Sequence, residues 1–364
     1  MKPIFFNPPF NEYNHQKKTL LQSIQRVLDS GWYVLGKQVE AFEAALAKIL
    51  NINYCVGVAN GVDALTLGLM ALNIGPNDEV IVPHFTAFPT ITGIQRAGAI
   101  PVSVDICGKT GLINTRLIEA AITAKTKAIL PVHMYGQCCD MDAIISLAKK
   151  YNLRVLEDCA QSLGAYYNQT SCGAFDAGGA MSFYPTKNLG AIGDGGAFIT
   201  NDQQLYERVK CLRNYGQTQK YKFDYKGLNS RLDEIQAAIL LTKLEELPIL
   251  NQKRNAIASF FYDHLPASIC LHKQPKSTHV YHLFPLLIND REQFQNFMLD
   301  HGIHTISHYP FTISDQKAFN GYLVGSSTHA NYFAKHIVSI PNNAFLTTKE
   351  TKFIVETIQA YLNQ

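Results

Sequence analysis

Cysteine is too sparse for a disulfide-built fold. Eight occur in 364 residues, at 55, 107, 138, 139, 159, 172, 211 and 270, and none forms a Cys-x-x-Cys pair. They read as mostly buried free thiols in a reducing compartment. The adjacent Cys138 and Cys139 are the candidates for redox chemistry, against the rule that buried cysteine is usually inert. An excess of one charge is also missing. Lys and Arg number 32 against 29 Asp and Glu, a net charge of +3, with no long basic run. That leaves no electrostatic footprint for nucleic acid. No apolar run approaches the roughly 18 residues a membrane span needs. The opening MKPIFFNPPFNEYNHQKK lacks the basic-then-apolar-then-small order of an export signal, so a cytoplasmic protein is expected. No Gly-x-Gly-x-x-Gly follows an early strand, which removes a dinucleotide-binding oxidoreductase. There is no internal repeat and no low-complexity segment.

What remains is a core-forming composition, 47% apolar and 17% charged. Length divided by about 150 residues per domain suggests two domains. Short apolar runs read as strands at Tyr54–Val58, Val80–Pro83, Ile100–Asp105, Lys127–His133, Leu153–Asp158, Gly179–Tyr184 and Gly196–Thr200. Several are apolar at consecutive positions, as strands buried on both faces are. Helical patterns separate them at Val62–Leu72, Ala87–Ala97, Thr115–Ala124, Asp142–Tyr151 and Gln203–Leu212. Alternation of this kind argues an α/β chain with a mostly parallel sheet, whose ligand sits off the carboxyl ends of the strands. An extended arm with Pro3, Pro8 and Pro9 leads into a helix near Lys17–Ser30. Arg231–Leu247 reads as a long amphipathic helix stopped near Pro248. The expected division is 1–249 for the arm and large domain and 250–364 for a smaller α+β domain. The smaller domain has strand-like runs at Val280–Ile288 and Thr305–His308, and helices at Arg291–His301 and Lys349–Asn363.

Four features fall at or near strand ends. Asn60-Gly61-Val62-Asp63 follows Tyr54–Val58 and opens a helix. Glycine there admits an anion close to the backbone, and the helix end offers free N–H groups. An ordinary tight turn is the plainer alternative. Asp158 ends Leu153–Asp158, where a carboxylate must be paired or functional, unless it caps a following helix. Lys187 sits in the loop after Ser182-Phe183-Tyr184-Pro185, before the glycine-rich Gly190-Ala191-Ile192-Gly193-Asp194-Gly195-Gly196; a lone loop lysine is usually only solvated. Lys226–Asp233 is a polar cluster that reads by itself as a loop with a cap. An anion cradle, a strand-end carboxylate and a loop lysine together are what pyridoxal phosphate requires.

With these residues in view, the chain resembles the DegT-type sugar aminotransferases, which share the aspartate-aminotransferase-like fold (fold type I) and use pyridoxal phosphate. The likeness covers nearly the whole chain. It runs through Ser30–Gly36, Asn60–Leu65, Glu157-Asp158-Cys159-Ala160-Gln161 and Ser182–Gly190. It continues through Gly193–Gly196, Leu212–Gly216, Asn229–Asp233 and His308-Tyr309-Pro310. The resemblance implies that Lys187 is the Schiff-base lysine and proton shuttle, and that Asp158 pairs with the pyridine nitrogen. It further implies that Gln161 contacts the ring hydroxyl, and that Ser182, Gly61 and Val62 bind the phosphate. Asn229 would reach the same phosphate from a neighbouring subunit, which makes the protein a homodimer with shared sites. Tyr33, Lys220, Tyr221, His308 and Tyr309 are the implied substrate contacts. No metal and no membrane or nucleic-acid partner is implied.

Two positions depart from the family pattern. Val62 stands where a threonine is common, so phosphate contact there would be through main chain only. Ala87 stands where an aromatic commonly stacks on the cofactor ring; Phe85 is the substitute chosen, with Phe88 as the other. Lysine at 187 implies transamination rather than dehydration. The wording around it is most similar to members aminating C3 of dTDP-3-keto-6-deoxyhexoses. Glutamate is the implied donor, and the product a nucleotide-linked aminosugar for surface polysaccharide or glycoconjugate biosynthesis. The alternatives are amination at C4 of a UDP- or GDP-linked 4-keto-6-deoxysugar and, more remotely, a non-catalytic cofactor-bearing regulator or scaffold.

Overall fold

The computed structural model describes residues 2–364. Eight strands form one sheet in the order Tyr54–Val58, Gly196–Thr200, Gly178–Ser182, Arg154–Asp158, Thr126–Ile129, Glu79–Pro83, Ile100–Val104, Tyr322–Leu323. Gly196–Thr200 runs against both of its neighbours. The remaining neighbours pair in parallel. This is the α/β architecture with a mostly parallel sheet that the apolar runs imply. Burial explains those runs: Glu79–Pro83 and Gly196–Thr200 are buried at every position, so alternation would leave polar groups stranded in the core.

Helices cover the sheet. α1 (Pro9–Ser30) starts earlier than expected, because Pro9 is tolerated in a first turn that needs no N–H partner. α2 is Lys37–Leu50, α3 is Gly61–Ala71 and α4 is Phe88–Arg96. The helix expected over Arg231–Leu247 is Glu234–Leu244. Pro248 does not stop it; it lies in the first turn of a new helix, Leu247–His264. Thr115–Ala124 shortens to Thr115–Ile118 and a single 3₁₀ turn. Of the strand expected at Thr305–His308, only a bridge from Ile306 to Ser339 forms.

A second apolar cluster joins Ile4 to side chains between Ala258 and Ile358, including Phe261, Phe284, Phe294 and Ile354. We propose residues 250–364 as the smaller unit on the strength of that cluster, with Tyr322–Leu323 returning to the large sheet. The expectation of free thiols needs correction at two positions. Cys138 and Cys172 form a disulfide with their Cα atoms 6.3 Å apart. They lie 34 residues apart in sequence, and only the fold brings them together. Cys139 is free and buried. Among the described residues no helix is long and apolar enough to cross a membrane.

Candidate active site

Strand register builds the site. Gly196 lies opposite Val58 on one side and Ser182 on the other, so those two strands end level. Asp158 ends the next strand along, opposite Ala180. Because Gly196–Thr200 runs backwards, its first residue sits at this same carboxyl edge. A Cβ on Gly196 would lie 2.3 Å from the Asn60 carbonyl carbon. Only glycine lets the chain after Val58 fold over the edge and start α3 there. Asn60 then caps α3, its Oδ1 accepting the Asp63 N–H at 2.8 Å. The N–H groups of the first turn have no partner within the helix, as at any helix start.

A cavity of about 540 Å³ opens beside this edge. Gly61, Val62, Asp158, Gln161, Ser182, Lys187 and Tyr309 all line it. Seven residues singled out in the sequence are thus brought together. Asp158 is only 5% exposed. Its Oδ1 accepts the Ala160 N–H at 3.1 Å and its Oδ2 the Thr90 hydroxyl at 2.8 Å. It caps no helix; a turn follows. Burial pushes its carboxyl above the usual range, and the two donors and the Lys187 charge pull it back. Burial brings Lys187 down to about 8, with Asp158 opposing. Gln161 Oε1 accepts the Tyr135 N–H at 2.6 Å, which turns its Nε2 toward the Tyr309 hydroxyl at 3.3 Å.

Glu157, on the other face of the same strand, is fully buried and structural. It accepts the N–H groups of Gly173 and Phe175, each at 2.9 Å, and bonds His133 Nε2 at 2.7 Å. His133 Nδ1 accepts the Cys139 N–H at 3.0 Å, so the ring proton sits on Nε2. His133, Glu157 and Cys159 are close enough to hold a metal ion, but the Glu157 oxygens are already committed to these donors.

Other expectations fall elsewhere. Phe85, the ring expected to stack on the cofactor, is not on the cavity wall. It is fully buried, edge-on to Phe333 at 5.8 Å between ring centroids. Its neighbours Thr86 and Ala87 line the cavity instead, because the turn before α4 points Phe85 into the core. Phe88 is half-buried against the same core and also lies off the wall. His308 sits behind Tyr309, its ring on Ser339 at 3.0 Å and its carbonyl accepting the Tyr135 hydroxyl at 3.2 Å. Burial and the Lys187 charge lower it to about 4. Asn229 is exposed and bridges to Asn214. Tyr33 and Tyr221 are exposed, and Lys220 packs over the Tyr221 ring at 5.4 Å; none of the three lines the cavity of this chain. Thr86, Thr90, Arg96, Val132, Tyr184 and Asp194 line it without having been singled out. Arg96 reaches it from the end of α4 and pairs with Asp63 at 2.5 Å. Thr86 and Thr90, four apart at the start of a helix, were the readable signal among these.

The residues present fit pyridoxal phosphate. A Cβ on Gly61 would lie 2.8 Å from Ser182 Cβ, so the space between α3 and Ser182 exists only because residue 61 is glycine. Gly61 and Val62 N–H and the Ser182 hydroxyl suit the phosphate, Asp158 the ring nitrogen and Lys187 the aldehyde carbon.

Comparison with known proteins points the same way. Residues 14–359 match the DegT/DnrJ/EryC1/StrS aminotransferase family. The chain is 45% identical over 347 residues to a dTDP-3-amino-3,6-dideoxy-alpha-D-galactopyranose transaminase of Aneurinibacillus thermoaerophilus, covering 95% of this chain and 96% of that protein. It is 40% identical over 346 residues to a UDP-N-acetyl-3-dehydro-alpha-D-glucosamine 3-aminotransferase of Acidithiobacillus ferrooxidans, covering 94% of each. The fold superposes on crystalline DesV of S. venezuelae in complex with a ketimine intermediate, with TM-score 0.96, 37% identity and full coverage of both chains.

Proposed function

The chain belongs to the DegT/DnrJ/EryC1/StrS aminotransferase family and is a pyridoxal-phosphate-dependent sugar aminotransferase, and from that premise we propose its particular reaction. It moves the amino group of L-glutamate to C3 of a dTDP-linked 3-keto-6-deoxyhexose. The observation that carries this reading is the 45% identity, over nearly the whole of both chains, to a relative named for a dTDP-3-amino-3,6-dideoxy sugar. The UDP-sugar relative at 40% keeps a UDP-linked 3-ketosugar as the second reading.

The geometry of the site supports the following roles. The bound cofactor supplies an electron sink conjugated to the reacting carbon. Asp158, buried and held by two donors, keeps a proton on the ring nitrogen. Lys187, with its amine lowered to about 8, would hold the cofactor and serve as the base that moves the proton at the substrate carbon. Gln161 faces the ring hydroxyl, and the α3 end with Ser182 holds the phosphate. The exposed Asn229, Tyr33, Lys220 and Tyr221 serve the site of a second copy in a homodimer. His308 supports Tyr309 from behind, and Tyr309 meets the sugar.

The test is a panel. Purified protein loaded with the cofactor's amine form is offered dTDP-3-keto-, dTDP-4-keto-, UDP- and GDP-linked ketosugars, and products are read by mass spectrometry. Conversion of glutamate to 2-oxoglutarate is followed in parallel. Amination of the dTDP-3-ketosugar alone supports the reading. Preference for a UDP- or 4-ketosugar, or turnover that survives Lys187→Ala, refutes it.

A further inference from the structure

Asp158 is met in this fold by a chain of two hydroxyls from α4 and the turn before it. Thr90 Oγ1 lies 2.8 Å from Asp158 Oδ2, and Thr86 Oγ1 lies 3.1 Å from Thr90 Oγ1. A threonine hydroxyl has one proton. That of Thr90 goes to the carboxylate, so the Thr86 proton goes to Thr90, and the chain points in one direction: Thr86 to Thr90 to Asp158. Both threonines are at most 3% exposed, and both touch the cavity.

We infer that Thr90, backed by Thr86, is a positioning residue that fixes the Asp158 carboxylate in one orientation opposite the cofactor's ring nitrogen. The inference rests on the role proposed above for Asp158. Its physical content is geometric. With Ala160 N–H on Oδ1 and Thr90 on Oδ2, both oxygens are held from the protein side. Each keeps a lone pair free, and the carboxylate plane cannot rotate away from the cavity. A hydrogen bond to an ionised acceptor is also stronger than one between neutral groups, so Thr90 favours the charged form in a place where burial disfavours it. The other ionisable groups acting on Asp158 are Lys187 and His133, and Tyr309 stands nearby. The backbone N–H of Ala160 stays whatever residue occupies position 90, which makes Thr90 the side chain whose removal isolates the effect.

Thr90→Val keeps the shape and removes the hydroxyl, and Thr90→Ser keeps the hydroxyl and removes the methyl. Two readouts besides turnover are used. In cofactor-free protein carrying ¹³C-labelled aspartate, the Asp158 carboxyl is assigned by its loss in Asp158→Asn and titrated by NMR. In protein loaded with ¹⁵N-labelled pyridoxal phosphate, the ring-nitrogen resonance is recorded. The expected result is that Thr90→Val moves the carboxyl midpoint upward by about one pH unit or more. It should also shift the nitrogen resonance toward the unprotonated form, and lower kcat of both half-reactions about tenfold or more with the donor KM little changed. Thr90→Ser should restore all three. An unmoved carboxyl midpoint overturns the inference, as does a moved midpoint with an unmoved nitrogen resonance. Wild-type protein that takes up no cofactor overturns the role of Asp158 and this inference with it. Wild-type uptake with an unchanged Thr90→Val spectrum overturns this inference alone.

Discussion

Glu234→Ala should open the start of α2 without touching a residue of that helix. Glu234 is 3% exposed. Its Oε1 accepts the N–H groups of Gly36 and Val39, and its Oε2 that of Gln38, each at 2.9 Å. The helix has no cap of its own, since Gly36 offers no side chain; a carboxylate 198 residues further along the chain from Gly36 does the work. Gly36 and Gln38 are only half-buried, so water can replace the acceptor for them. Val39 is buried and would lose its partner, at about 1–3 kcal/mol. Loss of a negative charge at a helix N-terminus adds roughly 0.3–1 kcal/mol. The total, about 1.3–4 kcal/mol, corresponds to roughly a tenfold to thousandfold change in the local opening equilibrium. The assay is amide hydrogen exchange of residues 36–39, which reads local opening directly and does not require the whole chain to unfold in one step. Glu234→Gln, which keeps an acceptor but not the charge, should fall between. Exchange at Gly36, Gln38 and Val39 within about twofold of wild type in Glu234→Ala would refute the reasoning.

Attachment of an aldehyde needs the neutral amine of Lys187. Because burial places that group at about 8, pyridoxal phosphate uptake by cofactor-free protein should quicken about tenfold per pH unit below that point and level off above it. A rate still climbing toward the ordinary lysine range near about 10.4 would contradict it. Gly61→Ala brings a Cβ to 2.8 Å from Ser182 Cβ and should weaken cofactor binding by about tenfold or more, roughly 1.4 kcal/mol. Equilibrium dialysis checks this against Gly75→Ala, whose Cβ would meet nothing closer than 3.5 Å; equal affinities would sink the cradle. Denatured, unreduced protein should titrate six thiols and reduced protein all eight, given the Cys138–Cys172 bridge and the six free cysteines. Eight thiols before reduction would show that no bridge forms.

The parts of the site that were legible in the sequence share a cause. Val58 and Asp158 end strands buried on both faces, and such strands announce themselves as apolar runs; Ser182 ends its strand two residues before the expected Gly179–Tyr184 does. Once the strand ends are known, Gly61 at a helix start and Lys187 in the following loop stand out as residues with no packing duty. What was not legible depends on direction or on distant partners. Phe85 and Ala87 are two apart in one turn, and nothing local says that the phenyl ring goes to the core and the alanine to the cavity. Pro248 reads equally as a stop or as a first-turn residue, and the packing of Leu247, Leu250, Ala258 and Phe261 in the following helix decides for the second. The Cys138–Cys172 bridge, the Glu234 cap and the Thr90–Asp158 bond join residues 34, 198 and 68 positions apart. No periodicity encodes such pairs.

The reversed strand explains why these scattered pieces converge. Were Gly196–Thr200 parallel to its neighbours, Thr200 would stand at the carboxyl edge between Val58 and Ser182, and its side chain would fill the place where Asn60 and Gly61 cross. Reversal puts Gly196 there instead, opposite both Val58 and Ser182. Glycine at 196 is then needed on physical grounds, since a single Cβ there would collide with Asn60 at 2.3–2.4 Å. With the edge lowered at that point, the first turn of α3 drops to the level of Ser182, and its free N–H groups face the same space as Lys187 and Asp158. The cradle proposed for the phosphate would therefore be a consequence of strand direction and one missing side chain as much as of the residues that would touch the phosphate. With valine at 62, the main-chain donors brought close by Gly196 would then serve a phosphate in place of a hydroxyl.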